Sequence, residues 1–222
     1  MSGKPEKPKI YRVSRRSLLL ADPPRHLREE AESLIPVAGL LAKKVPDMIL
    51  PAEDRLWILL FACGLPERTC MVFTRICALR CLRLWMVPYP EIVARYLRTG
   101  QRVLALPARE ATISRVSMPC GDDAMKSAAW ATTRPLIDAE RIDLELRRWT
   151  NVSPAYRAYA SAASARKAGV PGESQIADLM MVLETHPVVL AIRMRDRKFE
   201  SLPAGQQSTQ EQLDENERKE RT

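Results

Sequence analysis

Apolar residues recur along this chain at helical spacing, in runs that prolines separate. After Asp22-Pro23-Pro24, Leu27, Ala31, Leu34 and Ile35 fall on one face of a helix whose first turn accepts proline. Pro36 interrupts that pattern. A second apolar run, Val37 to Leu41, follows, and Lys43 and Lys44 near its end suit the negative pole of a helix. Pro46 and Pro51 bracket a turn. The stretch Glu53 to Leu65 is so apolar that it predicts a buried helix. Pro66 ends it, and a second helix is predicted from about Glu67 to Leu84, with Glu67 favourable in its first turn. Pro88 and Pro90 close this half and form the expected linker.

Beyond the linker, Ile92, Val93, Tyr96 and Leu97 make one face of a helix that Gly100 weakens, while Arg95, Arg98 and Arg102 lie mainly on another. Met118 to Asp123 predicts a loop. Thr132-Thr133-Arg134-Pro135 offers a capping threonine and a proline before a helix over Leu136 to Trp149. Asn151 to Pro154 breaks the pattern, and the alanine-rich stretch Tyr156 to Ala168 predicts a further helix, ended by Gly169 to Gly172. Another is expected from Ser174 to Glu184, and an apolar run spans Val188 to Met194. From Glu200 onward few apolar residues remain, which predicts disorder.

Composition agrees with helices. Aromatic residues are 5% of the 222 and glycines number only 8, so the core must rest on Leu, Ile, Val, Ala and Met. The expected architecture is all-α. A basic mobile arm (1–16) precedes two small helical-bundle subdomains (17–86 and 87–150) joined by the proline linker. A helical C-terminal region (151–199) and a disordered tail (200–222) follow. Net charge is +8, a balance that favours nucleic acid or an anionic membrane leaflet. The start MSGKPEKPK lacks an apolar core, so no signal peptide is expected, and charges break every long apolar stretch. The five cysteines are expected to be reduced thiols.

Catalytic chemistry finds little footing. His26 and His186 are distant in sequence, and no nucleophile-elbow, dinucleotide or phosphate-loop pattern occurs. Cys63, Cys70, Cys77 and Cys81 are spaced as on helices rather than as paired zinc ligands, so core packing is expected, with no metal and no cofactor. Asp138, Glu140, Asp143 and Glu145 lack the alternation of a calcium loop and suit either a solvated helix face or ion pairs with Arg141, Arg147 and Arg148. The arginines are more informative. Arg75, Arg80 and Arg83 share one helix, and Arg95, Arg98 and Arg102 begin the next block. If the two helices pack, these merge into one cationic surface suited to phosphate, to which Lys4, Lys7, Lys9, Arg12, Arg15 and Arg16 of the arm add charge.

Ile49-Leu50-Pro51, Leu59-Leu60-Phe61, Pro66-Glu67-Arg68 and Ala78-Leu79 follow one another in an order that resembles the matrix protein family of influenza-type viruses, whose ILxP, FVF, PSER and AL stand at nearly the same spacings. Ala108 to Ser114 is similar to its AKEISLS, and Ser17 to Pro23 to its SIIPSGP opening. Thr132 to Ile137 resembles TTNPLI and Thr185-His186-Pro187 resembles THP, a placement that deletes part of the middle domain. Placing Thr132-Thr133 on an earlier TT pair instead shortens the C-terminal domain. The family's basic RKLKR segment is here Arg98-Thr99-Gly100-Gln101-Arg102, basic only at its ends, and its Cys/His motif is absent.

The resemblance implies a non-enzymatic structural protein. It would coat the inner leaflet of a viral envelope, polymerise into homo-oligomers through charge-complementary contacts, and hold viral RNA or ribonucleoprotein. Nuclear-export and envelope proteins of the virus would be further partners. It would reside in the virion, at the plasma membrane, in the host cytoplasm and in the nucleus. An RNA-binding accessory protein without a membrane role, or an adaptor that binds host proteins through its tails, are the other readings.

Overall fold

A computed structural model describes residues 10–85, 90–116, 123–137 and 153–195. The fold is all-α. Among the described residues the only strands are two short ones, β1 (Arg12–Val13) and β2 (Leu40–Leu41), paired antiparallel.

That small ribbon changes the expected start of the chain. Residues 10–16 are docked rather than part of a mobile arm: Val13 is fully buried, and Ser14 caps helix α1 (Arg15–Leu20) in a reciprocal capping box with Ser17. The run Val37 to Leu41 is not helical. Pro36 starts a turn, Gly39 takes a positive φ of 78°, and the backbone then pairs across to β1 before a 3-10 helix over Ala42–Asp47. Glycine is required at position 39, because a Cβ there would lie 2.9 Å from the Val13 carbonyl oxygen. The helix expected after Pro24 is divided into α2 (Arg25–Glu29) and α3 (Ala31–Leu34), yet Leu27, Ala31 and Ile35 still bury one common stripe.

Helix α4 (Ala52–Trp57) continues as a π-helical turn over Ile58–Ala62, and Leu56 through Leu60 are all buried. A helix apolar on every side must lie inside the protein. Phe61 stacks on Trp57 with ring centroids 5.0 Å apart and meets the edge of Tyr159 at 5.8 Å.

Helix α5 (Glu67–Trp85) is the axis of the fold. Cys70, Phe73, Thr74, Ile76 to Leu79, Cys81 and Leu82 are buried, so most of its circumference is enclosed. It packs against α6 (Glu91–Thr99), α8 (Asp123–Ile137), α9 (Pro154–Lys167) and α10 (Gly172–Glu184). Its neighbours bring small side chains to the contact. Ala128, Ala129 and Ala131 of α8 and Ala158, Ala162 and Ala165 of α9 are buried and permit close approach. Helix α7 (Ala105–Val116) packs against α6 and α8. The segments either side of the proline-bearing connection share one hydrophobic cluster, running from Val13 to Met194. Pro90 caps α6; of the loop expected over Met118 to Asp123, Asp123 instead begins α8 and the rest lies outside the described residues, as do Pro88, the acidic residues Asp138 to Glu145 and the tail 200–222.

Helix α8 corrects another expectation. Thr132 and Thr133 do not begin a helix; they sit inside one, bonding their hydroxyls to the carbonyls of Ala128 (3.0 Å) and Ala129 (2.5 Å). Pro135 is tolerated near the helix end because other groups use the freed backbone. Proline cannot donate to the Ala131 carbonyl, and Ser161 of α9 donates to it instead at 3.3 Å, while the Tyr96 hydroxyl donates to the Pro135 carbonyl at 3.1 Å. The last helix, α11 (Pro187–Arg195), buries Leu190 and Met194 and leaves Val188, Val189 and Ile192 exposed.

Helix α10 is fastened by charge as well as packing. Arg80 of α5 donates to both carboxylate oxygens of Asp178, at 2.5 and 2.8 Å, and Asp178 is almost wholly buried. Arg55 of α4 donates to the Pro46 carbonyl at 2.7 Å and to Glu173. The buried Gln175 donates to the Ala162 carbonyl at 2.9 Å, and Arg166 reaches Gln175 at 3.2 Å and Glu53 at 3.3 Å. Removing one partner of a buried pair strands the other charge. Asp178→Ala is therefore expected to cost about 3 kcal/mol in urea denaturation, and Arg80→Met combined with Asp178→Leu to recover most of that loss.

Candidate anionic-surface interface

The structure sorts the candidate arginines into two groups. Arg12, Arg16, Arg83, Arg95 and Arg102 are exposed. Arg15 is half-buried, and it donates to the carbonyls of Ile35 (2.7 Å) and Glu32 (2.8 Å), tying α1 to α3. Arg12 also reaches the Ala38 carbonyl at 3.3 Å. Lys4, Lys7 and Lys9 lie outside the described residues.

Three of the six arginines expected to merge into one cationic face point inward instead. Arg80 is held by Asp178. Arg98 is 8% exposed and donates to Glu91 at 2.8 Å. Arg75 is half-buried, with its guanidinium laid over Gly100. The reason is packing. The long apolar stem of arginine can line a core while its head finds a carboxylate, so charge alone does not assign a residue to the surface. For Arg80 a sequence signal existed on the other helix. Gln175, Asp178, Leu179 and Val182 share one helical stripe, and a carboxylate on an apolar stripe calls for a buried cation. Burial pushes the Asp178 carboxyl above its ordinary range, against the pull of Arg80, while the hydrogen bonds to Asp178 hold the Arg80 guanidinium in its charged form.

Arginines 55, 157 and 166 escaped the sequence reading. Arg157 lies 3.7 Å from Glu67, and Arg166 sits over the Tyr159 ring at 5.8 Å. Tyr159 itself donates to Glu53 at 2.7 Å. Arg157 and Arg166 bind α9 to α5 and α4, and Arg55 binds α4 to α10, roles that no local pattern encodes. The histidines have local partners: His26 Nε2 lies 2.9 Å from Asp54 Oδ1, and His186 Nδ1 accepts from the Val188 amide at 3.3 Å.

Among the described residues exposed apolar side chains adjoin exposed arginines at several places, including α1, the turn before α7, and α11 with Val189, Ile192 and Arg193. On α1, Arg16, Leu19 and Leu20 stand at i, i+3 and i+4, which share a helix face, and Leu20 is 75% exposed. In the 3-10 turn Arg102–Leu104 and the start of α7, Arg102 is followed by Val103, 80% exposed, and by Leu106, 50% exposed. An apolar wedge beside a cation is the chemistry of an element that rests in a lipid headgroup region.

A groove of about 480 Å³ lies between α5, the C-terminal end of α6 and α11. Arg68, Val72 and Arg75 of α5, at helical spacing, form one wall, and Leu190 and Met194 of α11 lie opposite. Gly100 ends α6 with a φ of 64°, as a left-handed cap does, and a Cβ there would fall 2.1 Å from Arg75 Nη1. The glycine expected only to weaken the helix thus both terminates it and seats the arginine.

Among the described residues no group of His, Cys, Asp and Glu is placed to hold a metal ion, and no helix is long and apolar enough to cross a membrane. Comparison with protein-family models, with curated proteins and with solved structures yields no match to this chain.

Cys63, Cys70, Cys77 and Cys81 are free and buried. Burial pushes their thiols up, to about 12 for Cys63, about 11 for Cys70 and about 12 for Cys81, with Cys77 raised as well. Thiols raised on folding contribute stability that is complete below the unfolded-state value near 9 and is lost as pH rises toward 11 and 12. Peptide mapping after iodoacetamide treatment at pH 8 should therefore find these four cysteines unlabelled in the native protein and labelled in urea. Melting temperature should fall as pH is raised above 9.

Proposed function

We propose that the protein is a non-enzymatic matrix-type structural protein. It binds an anionic membrane leaflet, polymerises on it with copies of itself, and links it to viral RNA or ribonucleoprotein. The observation that carries this reading is the pairing of exposed arginine with exposed apolar side chains at Arg16, Leu19 and Leu20 and again at Arg102, Val103 and Leu106. The net charge of +8 supports it, as does the motif order from Ile49 to Ser114 that resembles influenza-type matrix proteins.

Each cation at the headgroup level contributes on the order of 1 kcal/mol, so one copy binds weakly. Polymerisation supplies the avidity, because neighbouring copies present their sites together. Arg12, Arg83 and Arg95, also exposed, remain for the leaflet or for nucleic-acid phosphates.

Co-sedimentation of the full chain with neutral and phosphatidylserine-rich liposomes, at low and high salt, tests this reading. Binding is expected to the anionic liposomes alone, to weaken with salt, and to leave an ordered protein layer under electron microscopy. Arg16→Gln and Arg102→Gln should each weaken it roughly five-fold, and Leu20→Ser should weaken it without changing the salt dependence. Absence of binding to either liposome, at concentrations that bind RNA, would instead identify an RNA-binding accessory protein.

A further inference from the structure

The guanidinium of Arg75 is anomalous. The other inward-turned candidate arginines have carboxylates: Arg80 has Asp178, and Arg98 has Glu91. Nη1 of Arg75 is buried against Gly100 with no hydrogen-bond partner, no carboxylate among the described residues pairs with the guanidinium, and only the Tyr96 hydroxyl group favours its charge. A cation taken out of water without a partner is costly, so such a group is retained where something else supplies the counter-charge.

The surroundings say what that is. Arg75 forms part of the wall of the 480 Å³ groove, and Arg68, about two turns away on the same face of α5, adds a second positive charge that repels it. The carboxylate that lines the groove, Glu67, lies 3.7 Å from Arg157, and Glu91 is engaged with Arg98. Thr69 and Thr185 place hydroxyl-bearing side chains along the same groove, while Leu190 and Met194 give it an apolar flank. Glycine at position 100 keeps the seat of the guanidinium open.

We infer that this groove is a binding site for a phosphoryl group, held by Arg75 and Arg68, with the apolar flank taking the organic body that carries it. Two arginines suit a doubly charged phosphoryl group better than a single carboxylate, and the planar fork matches two of its oxygens. The site is separate from Arg16 and Arg102 and does not rest on the membrane reading above. The same chemistry is offered by a small soluble phosphate ester and by the headgroup of phosphatidic acid.

The test uses the full chain in two arms. In the first, inorganic phosphate and pyrophosphate are titrated against sodium chloride of matched ionic strength, with calorimetry and melting temperature as readouts. In the second, flotation compares vesicles containing phosphatidic acid with vesicles containing phosphatidylserine. Saturable binding in the first arm assigns a soluble phosphate. Preference for phosphatidic acid in the second assigns the lipid. Arg75→Gln should weaken the effect about ten-fold or more, and Arg68→Gln should weaken it as well, whereas Arg83→Gln, outside the groove, should not.

A structural role for Arg75 gives a different pattern. If the arginine only packs, Arg75→Gln lowers the melting temperature in phosphate-free buffer. As a site held open for an anion, it keeps or raises it. Should Arg75→Gln fail to fold, Arg68→Gln and Arg75→Lys carry the comparison, Lys keeping the charge and losing the fork. No saturable phosphate effect and no preference for phosphatidic acid, or an effect equal in wild type and Arg75→Gln, would overturn the inference.

Discussion

The fold depends on the two-pronged pairing of Arg80 with Asp178. It joins the axial helix α5 to α10 through two residues that lie 98 apart in the chain. Its position, on buried faces of both, means that neither helix can slide or rotate without stranding a charge in a low-dielectric interior. Hydrophobic burial supplies the larger share of the stability but is tolerant of register. The ion pair is not, and with Arg55 to Glu173 it fixes where the C-terminal helices dock.

Around that constraint the core is built by size matching. The π-helical turn and α4 present Leu and Ile side chains, and α5 presents Phe73, Ile76, Leu79 and Leu82. Helices α8 and α9 answer with alanines, so that large and small residues interleave. Gly172 belongs to the same design, since a Cβ there would lie 2.6 Å from that of Ala52. The cysteines take part as small apolar residues, and their raised thiols follow from the same enclosure.

The partition of arginines is the feature on which function turns. Among the described residues eight arginines, 15, 55, 75, 80, 98, 109, 157 and 166, are buried or partly buried. A formal charge of +8 therefore overstates how much of the chain's arginine is offered to an acidic partner. What remains outside is dispersed, and its pairing with exposed Leu20, Val103 and Leu106 matters more than its number. Arg75 differs from the rest of the partly buried group: among the described residues no carboxylate pairs with it.

The sequence by itself determined the all-α class, the two buried helices on either side of Pro66, the placement of Cys63, Cys70, Cys77 and Cys81 in the core and the helix that opens at Glu91. These follow from local physics. Period, proline and glycine act over one or two turns, and they need no knowledge of what packs against them. Where local signals competed, they misled: Val37 to Leu41 is apolar enough for a helix, but its amides bond to a strand nearly thirty residues earlier. Thr132-Thr133 with Pro135 reads as a helix start, but Ser161 and Tyr96 satisfy the backbone that lets α8 run through. Only the tertiary structure decided which arginines face water. Periodicity assigns a residue to a face of its own helix, whereas the sign and position of the group opposite it belong to another helix, brought there by the fold.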